Sequence, residues 1–292
     1  MTPLSKKHDL KKGIYILPSI FTCGNMTFGF LSMLLSVRGH FTTAAWFIVG
    51  GIVCDMLDGR IARLTKTTSE FGVQLDSLSD LVSFGIAPAM MMYELVLKNH
   101  DITRGKLGIA IAVLFVLCSA LRLAKFNAEA ADGVVHSSFQ GLPTPASAGV
   151  IISFVLSHDL WLNLNAPAEL FEKYSPAELA ALNFRTIPIL INAMPKLFLA
   201  MPIVMIILSF LMVSPVPYLS FKTMRVSKFV ALRLFVLIII LVLLIVVFPQ
   251  NIFFLIFFGY ALSGIIFFIP VLLKKRRRNA NYSNGYDEHD KH

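Results

Sequence analysis

Residues 106–126 read KLGIAIAVLFVLCSALRLAKF. No charged residue occurs between Lys106 and Arg122. A helix that crosses the hydrocarbon core of a bilayer needs roughly 20 predominantly apolar residues, and this stretch is long enough to do so. It therefore predicts a membrane-spanning helix.

Similar apolar stretches recur from Ile14 to Leu273. Hydrophobic residues make up 56% of the 292-residue chain and charged residues 15%, whereas soluble domains have roughly a quarter charged residues. The composition predicts an all-α, polytopic bundle of transmembrane helices forming a single membrane domain. We predict about eight spans, at residues 15–37, 41–62, 72–97, 106–126, 144–157, 195–213, 229–248 and 251–273.

The basic residues predict how the bundle is oriented. An even number of spans places both termini on one side, and the excess of Lys and Arg identifies that side as the cytoplasm. The basic residues on this side are Lys6, Lys7, Lys11, Lys12, Arg60, Arg63, Lys66, Arg122, Lys125, Lys222, Arg225, Lys228 and the run 274–278. Fewer lie on the other side, namely Arg38, Lys98, Arg104, Lys106, Lys173, Arg185 and Lys196. We predict a multi-pass protein of the cell (inner) membrane with cytoplasmic termini.

Other features exclude some classes of function. The net charge of +9 comes from short clusters beside apolar runs, not from a basic domain interleaved with aromatic residues, so nucleic acid is not a predicted partner. The three cysteines lie in apolar segments and suggest neither disulfides nor a CxxC metal site. The first apolar run follows a basic stretch without a small-residue cleavage pattern, which predicts a first span rather than a cleaved signal peptide.

Acidic residues concentrate around the predicted turn between the second and third spans. Residues 55–63 read DMLDGRIAR, and residues 72–80 read GVQLDSLSD. Residues three or four apart share a helix face, so Asp55 projects with Asp58, and Asp76 projects with Asp80. Four carboxylates would repel one another unless a cation neutralised them, and oxygen ligands suit Mg²⁺ or Mn²⁺. The pattern predicts a site for one or two divalent ions.

The same window favours phosphoryl-transfer chemistry. Metal ions on a phosphate stabilise developing charge, while a carboxylate accepts the proton of the attacking group. Gly59 and Gly72 would let a nucleotide approach the backbone, and Arg63 would pair with a phosphate oxygen. The alternative interpretation is that the aspartates are helix-end carboxylates paired with nearby Arg and Lys at the membrane surface.

This window resembles the signature of the CDP-alcohol phosphatidyltransferase family, D-x2-D-G-x2-A-R-x8-G-x3-D-x3-D. The positions that match are Asp55, Asp58, Gly59, Ala62, Arg63, Gly72, Asp76 and Asp80. The resemblance implies that the four aspartates hold two divalent metals on the pyrophosphate of CDP-diacylglycerol. It also implies that Asp80 is the general base, that CMP is released by in-line displacement, and that Gly59, Ala62, Arg63 and Gly72 line the nucleotide and phosphate site.

The resemblance also implies a domain organisation. A six-helix catalytic core at residues 15–213, usually dimeric and opening to the cytoplasm, would follow a basic juxtamembrane segment at 1–14. Two additional helices would lie at 229–273. Residues 274–292 are basic and then polar without periodicity, which predicts a disordered cytoplasmic tail.

Three further stretches resemble the phosphatidylserine synthase branch of the family. They are residues 17–25, residues 122–127 and residues 139–146. The resemblance implies L-serine as the acceptor. Arg122 and Lys125 would bind its carboxylate; the alternative is that they are ordinary cytoplasmic flanking charges, which applies slightly more to Lys125 than to Arg122. Gly141 would allow a turn and Pro143 would form a stiff entry to the fifth span, or the segment is simply the start of a helix. Thr22 and Asn25 would bind the nucleotide or, alternatively, neighbouring helices.

Two alternatives remain open. The first is that the same transfer is made to another acceptor, namely glycerol 3-phosphate, inositol or choline, because the assignment of serine rests mainly on the resemblance of residues 139–146. Clustered aspartates in a membrane also occur in cation transporters, although those spread their carboxylates through the bilayer and contain internal repeats.

Overall fold

The computed structural model describes residues 3–65, 69–98, 102–131, 139–165, 188–218, 239–240, 243–244 and 252–264. These residues contain seven helices, which are α1 (Pro3–Val37), α2 (Phe41–Thr65), α3 (Glu70–Leu97), α4 (Lys106–Ala131), α5 (Thr144–Asn165), α6 (Pro188–Val213) and α7 (Ile252–Gly264). Each of the helices α1 to α6 contains one of the six predicted spans of residues 15–213. The predicted helical bundle is therefore confirmed.

Within the described residues, five stretches are long and apolar enough to cross a membrane. They are Ser19–Val37, Phe41–Thr65, Glu70–Leu97, Lys106–Ala131 and Lys196–Val213. Shorter apolar helices occupy Thr144–Ser157 and Ile252–Gly264. The predicted span 229–248 lies largely outside the described residues, as does the predicted tail 274–292.

Helix α1 begins at Pro3 instead of near residue 15. The predicted juxtamembrane segment is therefore helical and continuous with the first span. Its lysines and leucines have high helix propensity, and an apolar helix already formed downstream removes the cost of nucleating a new one.

Helix α1 packs along both α2 and α3, and small residues permit the close approach. A Cβ atom at Gly29 would lie 2.7 Å from the Cα of Ser83 in α3. A Cβ atom at Gly51 in α2 would lie 2.8 Å from Oδ1 of Asn25. Small residues at helix contacts are a usual means of packing helices in a membrane. They bring the three helices that carry the site within hydrogen-bonding distance of each other.

Helix α3 is not a regular α-helix throughout. Residues Leu81–Ile86 and Tyr93–Leu97 form π-helical segments, in which the backbone N–H of Ala87 reaches the carbonyl of Val82. Pro88 has no N–H to donate to the preceding turn, which fits a change in hydrogen-bond pattern at this point. The first π segment directly follows Asp80, and such segments are frequent at functional sites.

The described residues contain one small pair of strands, β1 (Phe139–Gln140) and β2 (Pro217–Tyr218), which pair antiparallel. The turn after β1 requires glycine, because Gly141 has φ +81 and its N–H donates to the carbonyl of Val216 at 2.9 Å. The predicted turn at Gly141 is thereby confirmed. The pairing joins the start of α5 to the end of α6.

Candidate active site

Three aspartates from two helices form a compact cluster. Asp55 lies near the end of α2, and Asp76 and Asp80 lie on the first turns of α3. One carboxylate oxygen from each lies within 4.8 Å of the other two. Ser69 caps α3 by accepting a hydrogen bond from the N–H of Gly72 at 3.0 Å, which sets where the helix begins. The helix geometry then places Asp76 and Asp80 on one face, as the sequence predicts.

Asp58, the fourth predicted ligand, is not in that group of three, although its charge interacts with those of the other aspartates. It is buried, and its Oδ2 accepts a hydrogen bond of 2.9 Å from Oγ1 of Thr22. The carbonyl of Thr22 in turn accepts a bond of 2.9 Å from Oγ of Ser79. Thr22 therefore links α1 to both acidic helices.

Asp80 is held in a similar way. Its Oδ1 accepts a hydrogen bond of 3.2 Å from Nδ2 of Asn25, and the carbonyl of Asn25 accepts one of 2.8 Å from Oγ of Ser83. Both Asn25 and Asp80 are buried. Of the two interpretations of Thr22 and Asn25, the structure supports contacts with neighbouring helices, and the nucleotide contact stays a prediction.

The cluster has the properties of a cation site. The ion pairs found among the described residues, Glu94–Lys98 and Lys125–Glu129, include none of its aspartates. Oδ1 of Asp76 is buried and has no hydrogen-bond partner within the described residues. A buried, unpartnered carboxylate oxygen is costly unless an ion or a donor binds it. The donor set is all oxygen and converges on one point, which fits a hard divalent cation.

The other signature residues lie beside the cluster. Nε of Arg63 donates to the carbonyl of Gly59 at 2.7 Å, and the Arg63 side chain is exposed. A Cβ atom at Gly59 would meet only Nη2 of Arg63, at 3.8 Å, so this helix face is open to a ligand. Ala62 is partly buried. Gly72 also has a local role, because its N–H binds the capping hydroxyl of Ser69.

The predicted acceptor residues separate into two groups. Nη1 of Arg122 donates to Oγ1 of Thr144 at 2.9 Å, so α4 meets the segment that contains Gly141 and Pro143. Helix α4 also contacts α3 on both sides of Asp80, because Nδ2 of Asn127 donates to Oγ of Ser77 at 2.8 Å and Gly85 lies against Ser119. Lys125 instead lies on the exposed side of α4, with Nζ 3.7 Å from Oε1 of Glu129. The structure therefore brings Arg122, but not Lys125, to the acidic cluster.

Pro143 starts helix α5. Its carbonyl accepts hydrogen bonds from the N–H groups of Ala146 and Ser147, both at 3.0 Å. This agrees with the predicted stiff entry to the fifth span.

Several contributing residues were not predicted. Thr144 lies in a quoted stretch, yet nothing in the sequence singles out its hydroxyl as the partner of Arg122. Ser79 and Ser83 lie three residues after Asp76 and Asp80, on the same side of the helix, and this spacing could have identified them as residues near the site.

Comparisons with known proteins agree with this geometry. A family model described as CDP-alcohol phosphatidyltransferase matches residues 15–174. A CDP-diacylglycerol–serine O-phosphatidyltransferase of Helicobacter pylori (strain J99) is 33% identical over 261 residues, which is 89% of this chain and 94% of the relative. An archaetidylserine synthase of Methanothermobacter thermautotrophicus is 38% identical over 143 residues, 48% of this chain and 58% of the relative. A CDP-diacylglycerol–serine O-phosphatidyltransferase of Methanocaldococcus jannaschii is 45% identical over 103 residues, 35% of this chain and 45% of the relative.

Proposed function

Because this chain belongs to the CDP-alcohol phosphatidyltransferase family, we propose that it transfers the phosphatidyl group of CDP-diacylglycerol to L-serine. The similarity to enzymes named for serine extends over most of the chain. Membership in this family of transferases also argues against the cation transporter considered from the sequence. Glycerol 3-phosphate, inositol and choline remain the alternative acceptors.

One observation supports serine beyond the similarity, namely the position of Arg122 relative to Asp80. Arg122 lies between Ser119 and Asn127, the two residues of α4 that contact α3 on either side of Asp80, and its Nε is buried without a hydrogen-bond partner in the described part of the chain. Serine carries a carboxylate close to its hydroxyl. An acceptor of this kind would place its carboxylate at Arg122 and its hydroxyl at Asp80.

The reaction we propose is a single in-line displacement. The serine hydroxyl oxygen forms a bond to the phosphatidyl phosphorus, and the bond from that phosphorus to the CMP oxygen breaks. Asp80 accepts the hydroxyl proton, and the hydrogen bond from Asn25 orients its carboxylate. Thr22 orients Asp58 in the same manner. Gly59, Ala62, Arg63 and Gly72 would line the nucleotide and phosphate side.

Two divalent ions, either Mg²⁺ or Mn²⁺, would be held by Asp55, Asp58, Asp76 and Asp80. When bound, such ions supply positive charge that stabilises the negative charge developing on the phosphate oxygens. The convergence of Asp55, Asp76 and Asp80 and the unpartnered oxygen of Asp76 support this assignment.

For the membrane setting, we infer about eight spans, with both termini and the acidic cluster on the cytoplasmic side of the inner membrane. The distribution of Lys and Arg supports this orientation. We also propose that residues 15–213 form the six-helix catalytic core and that residues 229–273 form two additional helices. The protein would be a homodimer.

A test of the function is CMP release from CDP-diacylglycerol by the purified protein in detergent with Mg²⁺ or Mn²⁺. L-serine, glycerol 3-phosphate, inositol and choline are compared as acceptors. We expect release with L-serine to exceed release with each of the others by at least about 100-fold, because a site built for one polar group leaves its buried charges unpaired with the wrong acceptor. Preference for another acceptor would retain the family and contradict serine.

Arg122→Gln tests the proposed carboxylate site. We expect the KM for L-serine to rise by about 10- to 150-fold with little change in the KM for CDP-diacylglycerol, because a charged hydrogen bond contributes roughly 1.5–3 kcal/mol. Initial rates at varied serine concentrations measure this.

Lys125→Gln is the matched control. It removes a charge from the same helix, but from its exposed side, where an ion pair contributes little. We expect a KM for serine within about threefold of the wild-type value. Equal effects of the two substitutions would contradict a specific role of Arg122.

A further inference from the structure

The segment that leads into α5 is held in place by the end of α6 and the residues that follow it. The N–H of Gly141 donates to the carbonyl of Val216 at 2.9 Å, and the N–H of Leu142 donates to the carbonyl of Leu211 at 3.0 Å. A Cβ atom at Gly141 would lie 2.4 Å from the carbonyl oxygen of Met212, so the two backbones are in direct contact. The entry to α5 is therefore fixed by backbone contacts on both of its residues.

The same part of α6 also supports Thr144, the fully buried first residue of α5. The carbonyl of Thr144 accepts a hydrogen bond of 2.8 Å from Oγ of Ser147, and that Oγ lies 3.2 Å from Sδ of Met212. Oγ of Ser119 in α4 lies 3.5 Å from the same sulfur atom. Met212 lies outside residues 15–174, where the family model matches. Three helices thus meet beside Thr144, and one of them is not part of that match.

The hydroxyl of Thr144 binds Arg122. Nη1 of Arg122 donates to Oγ1 of Thr144 at 2.9 Å, while Nε is buried and lacks a partner among the described residues. In a guanidinium, the N–H of Nε is parallel to one N–H of Nη2, and this pair can bind a carboxylate through two hydrogen bonds. Because the guanidinium is rigid and planar, a fixed oxygen on Nη1 restricts the direction in which that pair points.

We propose that Thr144 is a positioning residue for the acceptor site, which holds the Arg122 guanidinium so that its Nε and Nη2 face the acceptor's carboxylate. This inference rests on the proposed function. The contacts from α6 fix the Thr144 hydroxyl before the acceptor arrives, and such preorganisation lowers the cost of binding. Thr144 acts through Arg122, so loss of its hydroxyl weakens acceptor binding more than it slows the chemical step.

Thr144→Val tests the proposal, because it removes the hydroxyl and keeps the branched shape. We expect the KM for L-serine to rise about tenfold, while kcat and the KM for CDP-diacylglycerol stay within about twofold, since the guanidinium loses the partner that orients it. The second readout is the ratio of kcat/KM for L-serine to that for L-serinamide, whose amide replaces the carboxylate, and we expect this ratio to fall about tenfold as well. Thr144→Ser restores the hydroxyl and should keep both values within about threefold of the wild type.

A double-mutant cycle distinguishes positioning from a general effect on the fold. If Thr144 acts through Arg122, its hydroxyl has nothing to orient once the guanidinium is gone. We therefore expect Thr144→Val to change the KM for L-serine by less than about twofold in the Arg122→Gln background. Thr144→Ala, which places no methyl group against the guanidinium, provides the same comparison if Thr144→Val does not fold.

Thr103→Val is the matched control. Thr103 is also buried, and its Oγ1 donates to the carbonyl of Leu97 at 2.9 Å, at the end of α4 opposite to Arg122. We expect unchanged kinetic constants for Thr103→Val. The proposal would be overturned by an unaltered KM and serinamide ratio in Thr144→Val, by an equal rise in the KM values of both substrates, or by the same effect in the Arg122→Gln background. Wild-type protein without serine-dependent CMP release would instead refute the proposed function itself, and this inference with it.

Discussion

Asp80→Asn is expected to lower the rate of CMP release by about a thousandfold or more. An amide cannot accept the proton of the attacking hydroxyl, and general-base catalysis contributes roughly 10²–10⁴ in rate. The substitution retains an oxygen that can accept the hydrogen bond from Asn25, so the contact between α1 and α3 survives. The measurement is CMP release at saturating CDP-diacylglycerol and serine.

The matched control is Glu94→Gln, the same change of an acid to an amide on the same helix. Glu94 pairs with Lys98 at the other end of α3, away from the cluster. We expect its rate to stay within about twofold of the wild-type rate. We also expect Asp80→Asn to melt no lower than the wild type in metal-free buffer, because it removes one of four mutually repelling charges. A variant that keeps a tenth or more of the wild-type rate would show that Asp80 is not the base.

Removal of divalent metal is expected to have an effect of similar size. Treatment with a chelator should lower CMP release by about a thousandfold, because metal ions contribute several kcal/mol of transition-state stabilisation. Added Mg²⁺ or Mn²⁺ should restore the rate. The carboxylates of Asp55, Asp76 and Asp80 converge on one point, which is the structural basis for this expectation.

Binding can be measured separately from catalysis by thermal unfolding in detergent. An ion that binds only the folded state stabilises it by about 2.7 kcal/mol at 100 times its dissociation constant, so the melting temperature should rise with Mg²⁺ concentration. Asp76→Asn removes a ligand oxygen and should shift this response to higher concentrations. Full activity in metal-free buffer, or an identical Mg²⁺ response of Asp76→Asn, would refute a metal site at the cluster.

The helices of the fold could be predicted because the membrane imposes a simple rule. Backbone groups in lipid must bond within their own segment, so long apolar stretches become helices, as 106–126 does in α4. The π segments of α3 were not predicted. They depend on how Gly85 and Pro88 are accommodated against neighbouring helices, and Gly85 lies against Ser119 of α4. Hydrophobic periodicity does not resolve a single added residue in a turn.

The acidic part of the candidate site could be predicted from the sequence, whereas the arrangement of its basic residues could be predicted only in part. The spacing of Asp76 and Asp80 places them on one helix face whatever surrounds them. Arg122 and the segment from Gly141 to Pro143 are both predicted for the acceptor site, and the hydrogen bond from Arg122 to Thr144 shows that they lie next to each other. Lys125 has the same charge as Arg122 and lies three residues away, yet it points to the exposed side of α4. The sequence favours ordinary flanking only slightly more for Lys125 than for Arg122, and the packing of α4 separates the two cations clearly.

The sequence by itself determined the properties that depend on local chemistry: a helical membrane chain, an acidic cluster on two successive helices, and a family signature at residues 55–80. The tertiary structure decided which partners these residues have. Thr22 and Asn25 bind the aspartates across separations of 36 and 55 residues in the chain, and Arg122 binds Thr144 across 22. Such contacts depend on how helices lie against each other, and side-chain spacing within one helix carries no information about that packing.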